Sequence, residues 1–164
     1  MNDLVLKRRF RILERNVLLL IIAPLPFFSF AYLYTTNAIR EIEVPEFPQF
    51  LNLFALSLAI ALLAFQQINF QRRISAIRES GADLEERFNG YSKAITTRYW
   101  ILCLVGFISA AGLWLYENAG FTVAYAITLV LISVAKPSPD RIIRLLRLKG
   151  EERDFMFHIN KIEE

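Results

Sequence analysis

The sequence predicts an all-α polytopic membrane protein, a single bundle of four transmembrane helices with cytoplasmic helical extensions and both termini on the cytoplasmic side. Three observations predict it. Four apolar runs, Val17 to Thr36, Phe50 to Phe70, Tyr99 to Tyr116 and Phe121 to Ala135, contain no charged side chain. The first three are long enough, at about 1.5 Å rise per residue, to cross a hydrocarbon layer about 30 Å thick, and the fourth needs Ala119 and Gly120 or local thinning of the bilayer. All of the 19 Lys and Arg residues except Arg40 fall in three stretches, 1–16, 71–98 and 136–164.

Charge placement sets the orientation. Lys and Arg are retained on the cytoplasmic side because translocating them is costly, so the three basic stretches share the inner face. The outer face is then 37–49, with Arg40 against Glu41, Glu43 and Glu46, together with the turn Glu117 to Gly120. The formal charge of +3 conceals a basic inner side and an acidic outer side. The sequence pI of about 9.2 therefore reports topology, and no nucleic-acid partner is expected.

At 164 residues and 55% hydrophobic content the chain has room for one bundle and no separate soluble domain. Cys103 is the single cysteine, which excludes an internal disulfide and a cysteine-based metal site. Basic residues before the first run suggest a signal peptide, but the run is longer than a usual signal core and only Thr36-Asn37-Ala38 approximates a cleavage site, so the run is expected to stay as a span.

Taken in order, residues 1–16 form an amphipathic lead-in, with Leu6, Phe10 and Leu13 at helical spacing among basic side chains. The first span, 17–36, contains Pro24 and Pro26. Two missing backbone donors should kink or break the helix there, either as a packing device or as a hinge or pocket. Tyr32, Tyr34, Thr35 and Thr36 suit the outer interface, and Pro45 and Pro48 close the outer loop. In the second span, 50–70, Ala55 with Ala59 and Ser57 with Ala61 stand four apart and are expected to share one broad helix-contact face. Gly106 and Ala110 do the same in the third span, 99–116, beside Ser109 and Gly112. The turn Glu117-Asn118-Ala119-Gly120 makes the third span and the fourth, 119–135, an antiparallel hairpin.

The loop 71–98 reads as a cytoplasmic helical hairpin broken at Ser80-Gly81. Leu84, Phe88, Tyr91 and Ile95 make one apolar seam on its second arm, either closed within the chain or offered to a partner protein. In the tail, 136–164, Ser138 caps a new helix, Pro139 suits its first position and Gly150 its end. Arg141, Arg144 and Arg147 lie opposite Ile142, Ile143, Leu145 and Leu146. This short basic amphipathic helix is expected to rest on the anionic inner leaflet, with the remainder packing under the bundle. The string KPSPDRIIRLLRLKGEE, residues 136–152, resembles the segment after the last span in small four-helix inner-membrane proteins of Bacteroidota-type bacteria. That resemblance implies a cell inner membrane and no activity.

No catalytic, cofactor-binding or metal-ligating set emerges. Membrane enzymes and proton-coupled transporters need acidic or basic side chains inside their spans, and the four runs hold no Asp, Glu, His, Lys or Arg. His158 is the single histidine and has no companion ligand nearby in the chain. The expected role is therefore a non-catalytic inner-membrane subunit or organiser, in contact with lipids, other membrane proteins or further copies of itself. The alternative is a small oligomeric transporter or channel for a polar solute, with Pro24, Pro26, Gln66, Gln67 and Asn69 along its pathway. For those amides the competing structural role is cross-linking of helices.

Overall fold

The computed structural model describes residues 3–36 and 47–159, without the side chains of residues 3, 4 and 158. The expectations placed on residues 37–46, which include Arg40, the three outer-loop glutamates and Pro45, on the cleavage site, and on the side chain of His158 lie outside the described residues. Among the described residues every regular element is a helix, in the order α1 Asp3–Ile22, α2 Pro24–Thr36, α3 Gln49–Glu79, α4 Leu84–Tyr116, α5 Ala119–Ala135, α6 Pro139–Leu146 and α7 Gly150–His158. Three stretches, Val5–Thr36, Gln49–Glu79 and Leu84–Tyr116, are long and apolar enough to cross a membrane; α5 joins them as a fourth if it is taken together with α6 across a bend of 85°.

The central element is α4, which packs against α1, α2, α3 and α5. Its small residues explain why. A Cβ added to Gly106 would stand 2.8 Å from Cβ of Pro24, and one added to Gly112 would stand 2.4 Å from the Phe121 ring. These glycines let α2 and α5 approach the α4 backbone closely, the packing on which helix association in lipid depends. Ala110 is buried beside them. In α3, Ala59 is fully buried and Ala55 half-buried, whereas Ser57 and Ala61 are exposed, so the two small rows do not share a face. An offset of two residues turns a helix by about 200°, which places the second row on the far side.

The proline pair leaves a smaller mark than a broken span. The interruption is the single residue Ala23, whose N–H still donates to the Leu19 carbonyl at 3.0 Å. Pro24 is buried against Gly106 and so acts as a packing residue at the kink. Beyond the kink, Phe28 of α2 stacks on Tyr125 of α5 at 3.7 Å between centroids. Glu117 closes α4 in the left-handed region, and the Asn118 side chain both accepts from the Gly120 N–H at 2.8 Å and donates to Asn52 of α3 at 3.1 Å. The α4–α5 hairpin is thereby tied to α3.

At the other end α3 and α4 run on beyond their apolar stretches as the two arms of a hairpin, separated at Ser80 and Gly81, where Gly81 takes a positive φ. Lead-in and tail fold over these arms. Leu6, Phe10, Leu13 and Val17 from α1, Ile142 and Leu146 from α6, and Met156 from α7 join Phe70, Ile74, Leu84, Phe88, Tyr91 and Ile95 in one buried cluster. At roughly 1.5–3 kcal/mol for each fully buried large apolar side chain, this cluster is the main source of stability at this end of the bundle.

Candidate functional site

The seam Leu84, Phe88, Tyr91 and Ile95 is fully used within the chain: all four side chains are at most 2% exposed. The expectation that they form a docking surface is corrected on that ground. An apolar seam beside water is covered by the nearest amphipathic helices available, and here α1, α6 and α7 supply them.

The tail departs from expectation in two ways. The Ser138 hydroxyl does cap α6, accepting from the Arg141 N–H at 3.3 Å. The helix, however, ends at Leu146, Arg147 takes the left-handed cap position, and Gly150, with φ +57°, begins α7 instead of closing α6. The reason is visible in the neighbours. Arg78 donates to the Leu145 carbonyl at 3.3 Å, and Arg87 donates to the Leu146 carbonyl while pairing with Glu152 at 3.4 Å. Two guanidinium groups from the hairpin arms thus take the carbonyls at the end of α6, where helix polarity favours positive charge. Ile142 and Leu146 are consequently buried in protein, not laid in lipid, whereas Arg144 and Arg147 remain exposed and Arg141 is half-buried.

The residues of the alternative pathway are not brought together. Pro24 sits on Gly106, eight residues along α4 from Arg98, about 12 Å of helix rise. Pro26 lines an apolar groove between α2 and α4. Gln67 accepts a hydrogen bond from Arg98 at 2.8 Å, and Asn69 accepts one from Arg73 at 3.4 Å. Gln67 is therefore a cross-link between α3 and α4. Gln66 differs: it is 1% exposed, and neither its oxygen nor its nitrogen has a partner.

What the structure adds is Arg98, which the sequence reading counts only as a topology charge. It is 4% exposed and lies over the Phe70 ring, with its guanidinium carbon 4.7 Å from the centroid. Among the described residues no carboxylate pairs with it, and its Nε has no hydrogen-bond partner. Burial pushes its guanidinium pKa down, and the like charge of Arg141 pushes the same way. Seven residues earlier on the same face of α4, the buried Tyr91 hydroxyl is also unpartnered; burial holds that phenol well above its ordinary pKa, against the pull of Arg141 and Arg98. The nearby Tyr99 is satisfied, donating to the Ile132 carbonyl at 3.1 Å. One sequence signal could have found Arg98: it stands two helical turns from Tyr91 and immediately before an uncharged run.

A groove between α2 and α4 is apolar. Pro26, Phe27, Phe30 and Ala31 of α2 face Phe107, Ala110, Ala111 and Trp114 of α4 across a groove of about 720 Å³. Its lining is made of aromatic side chains, alanines and one proline. Among the described residues no group of three or more His, Cys, Asp or Glu is placed to hold a metal ion. No protein-family model, curated protein or solved structure significantly matches this chain.

Proposed function

We propose that the protein is a non-catalytic, integral subunit or organiser of a larger inner-membrane assembly, crossing the membrane four times with the basic base and both termini in the cytoplasm. The observation that carries this reading is the α2–α4 groove, apolar on every side, in an apolar layer without Asp, Glu, His, Lys or Arg. The small Ala31, Ala110 and Ala111 in its lining let another backbone come close, and Phe27, Phe30, Phe107 and Trp114 offer contact area. The occupant that fits is a transmembrane helix of a partner protein. Chemistry or proton coupling would call for acidic or basic side chains in that layer, and the four runs hold no Asp, Glu, His, Lys or Arg. The folded base below, held by Arg78 and Arg87 on the end of α6, fixes the helix spacing above it.

The test places a photo-crosslinking amino acid at Phe107 in the groove or at Val130 on the far face of α5, in the full chain in intact cells. The reading expects one discrete heteromeric adduct from Phe107, lost when Ala111 is changed to Trp, and none from Val130. A chain that purifies only as a homodimer and moves a polar solute in liposomes would favour the transporter reading instead. Accessibility labelling of cysteines introduced at Lys93 and Arg144, in a Cys103→Ser background, checks the orientation. Both sites are expected to react from the cytoplasmic side, and reaction from opposite sides would overturn the topology.

A further inference from the structure

Where the basic lead-in meets the hairpin, α1 and α4 run in parallel along a shared polar cleft. Arg9 of α1 donates to the Asn89 side chain of α4 at 2.8 Å and pairs with Glu85 at 3.1 Å. Seven residues further along each helix, Asn16 and Thr96 line the same cleft as Arg9 and Asn89, with Ser92 and Lys93 between them on α4. The positions 89, 92, 93 and 96 make one face of a helix, and 9 and 16 share a face of α1 in the same way. The cleft holds about 240 Å³, and its lining carries two cations and no acid.

The donors in this cleft have little else to hold. Among the described residues the side chains of Asn16, Ser92, Lys93 and Thr96 make no hydrogen bond or ion pair, whereas the neighbouring Thr97 hydroxyl returns to the Lys93 carbonyl at 2.9 Å. Both contacts of Arg9 use Nη1, which leaves Nη2 and Nε. The Asn89 oxygen accepts from Arg9, so its amide N–H groups are the donors it has left to offer. Glu85 and Glu86 stand outside the lining: the first is held by Arg9, and the second lines a separate cleft between α3 and α4. Position adds a further constraint. Asn16 directly precedes the first apolar run, and Thr96 lies three residues before the third. In the next turns α1 exposes Leu18, Leu19 and Ile22, and α4 exposes Trp100 and Leu104. A headgroup seated in the cleft therefore has apolar surface for its acyl chains directly beyond it.

We propose that the cleft between α1 and α4 binds the phosphoryl oxyanion of one anionic phospholipid headgroup, with Arg9 and Lys93 as its cationic donors and Asn16, Asn89, Ser92 and Thr96 as neutral ones. A phosphate has oxygens enough for donors that converge from two helices, and the planar guanidinium fork matches two of them. The cleft is smaller than the range of about 300–1,000 Å³ that holds a drug-sized ligand, so a headgroup fits and a whole amphiphile does not. The site rests on the reading that this end of the bundle meets the inner leaflet. It differs from general attraction of a basic surface to lipid in requiring Arg9 and Lys93, and not the exposed Arg144 and Arg147 of the tail.

The experiment uses the full chain in a neutral detergent, stripped of lipid, with thermal unfolding followed by Trp100 and Trp114 fluorescence. Phosphatidylglycerol, phosphatidylcholine and inorganic phosphate are titrated separately. The expected result is a saturable rise in Tm with phosphatidylglycerol and none with phosphatidylcholine, whose phosphate is offset by its own cation. K93Q should weaken the apparent affinity by about tenfold or more, the scale of one charge-assisted contact. It should leave the Tm of the lipid-free chain unchanged, because the Lys93 side chain is exposed. R9Q should weaken binding at least as much, whereas K93R and R144Q/R147Q should each stay within about twofold of the unmodified chain. S92A/T96A, which leaves every charge in place, should weaken it by about fivefold, the scale of neutral hydrogen bonds. A saturable response to inorganic phosphate that K93Q removes would keep the site and reassign its ligand to free phosphate. If R9Q does not fold, having lost its bonds to Asn89 and Glu85, K93Q and S92A/T96A carry the test. The proposal is overturned if K93Q responds like the unmodified chain, if R144Q/R147Q loses the response as fully as K93Q, or if phosphatidylcholine gives an equal rise. Each of these outcomes leaves the assembly reading intact, because that is measured by crosslinking from Phe107 and its orientation by cysteine labelling.

Discussion

The two ends of α4 solve opposite packing problems. In its N-terminal half the helix hides large side chains: Phe88, Tyr91 and Ile95 are all 0% exposed. In its apolar half it also buries small ones, Gly106, Ser109 and Gly112, beside Leu102, Val105 and Leu113, and turns Trp100, Leu104 and Phe107 outward. The same contrast holds in α3, where Ile74 is buried near the base while Leu53 and Phe54 are exposed higher up. Water drives large apolar groups together, so the base is built like the core of a soluble protein. The upper half adds close backbone approach and turns many of its large side chains outward, the pattern expected of helices packed in lipid, which exerts no such drive.

That contrast can be broken by substitution, and the largest effect is expected in the base. Phe88→Ala opens a cavity under α1 and should cost about 3–5 kcal/mol in a reversible unfolding assay in detergent, whereas Phe54→Ala on the exposed face of α3 should leave stability unchanged. Equal effects would mean that the two halves are not packed by different rules.

Next in size is the reverse experiment in the apolar half. Gly112→Ala places a methyl group against the Phe121 ring, and overpacking of this kind costs about 1–3 kcal/mol. It should lower Tm, and Ser57→Leu on the outward row should not. A tolerated Gly112→Ala would show that α5 can move away from α4 freely. Arg87→Ala then tests how the tail is held. Loss of its bonds to the Leu146 carbonyl and Glu152 should cost about 2 kcal/mol, the range for buried hydrogen bonds to a charged group. Limited proteolysis should cut between α6 and α7 faster in this variant, with α1 to α5 intact.

The smallest effect sharpens the comparison at its edge. Arg9 pairs with Glu85 at 3.1 Å, but both side chains are more than 40% exposed. Glu85→Gln should therefore change stability by less than about 1 kcal/mol, and the change should shrink further in high salt. A larger loss would mean that α1 is held to the hairpin by charge more than by Leu6, Phe10 and Leu13.

Much of this architecture is legible in the chain. The Ser80-Gly81 break, the Glu117 to Gly120 turn and the Ser138 cap with Pro139 behind it are local devices, and each occurs where its residues place it. The candidate sites are less legible. The seam at Leu84, Phe88, Tyr91 and Ile95 is correctly spaced for one face, yet spacing does not say what covers that face, and the answer comes from segments distant in sequence on either side. Gly150 as a helix end fails for a similar reason: the end of α6 is set by Arg78 and Arg87, far from it in sequence. The two small rows of α3 were separable by helix geometry alone, because Ser57 and Ala61 lie half a turn from Ala55 and Ala59.

By itself the sequence determined that the chain is helical and holds three to four stretches able to cross a membrane. Hydropathy and charge add residue by residue along a line, and need no knowledge of neighbours in space. Only the tertiary structure decided that the seam is covered from within, that Gln67 binds Arg98, and that Arg98 and Tyr91 share a buried place lacking an acidic partner among the described residues. Those facts depend on which distant segments meet, and meeting is a property of packing that no single stretch of sequence carries.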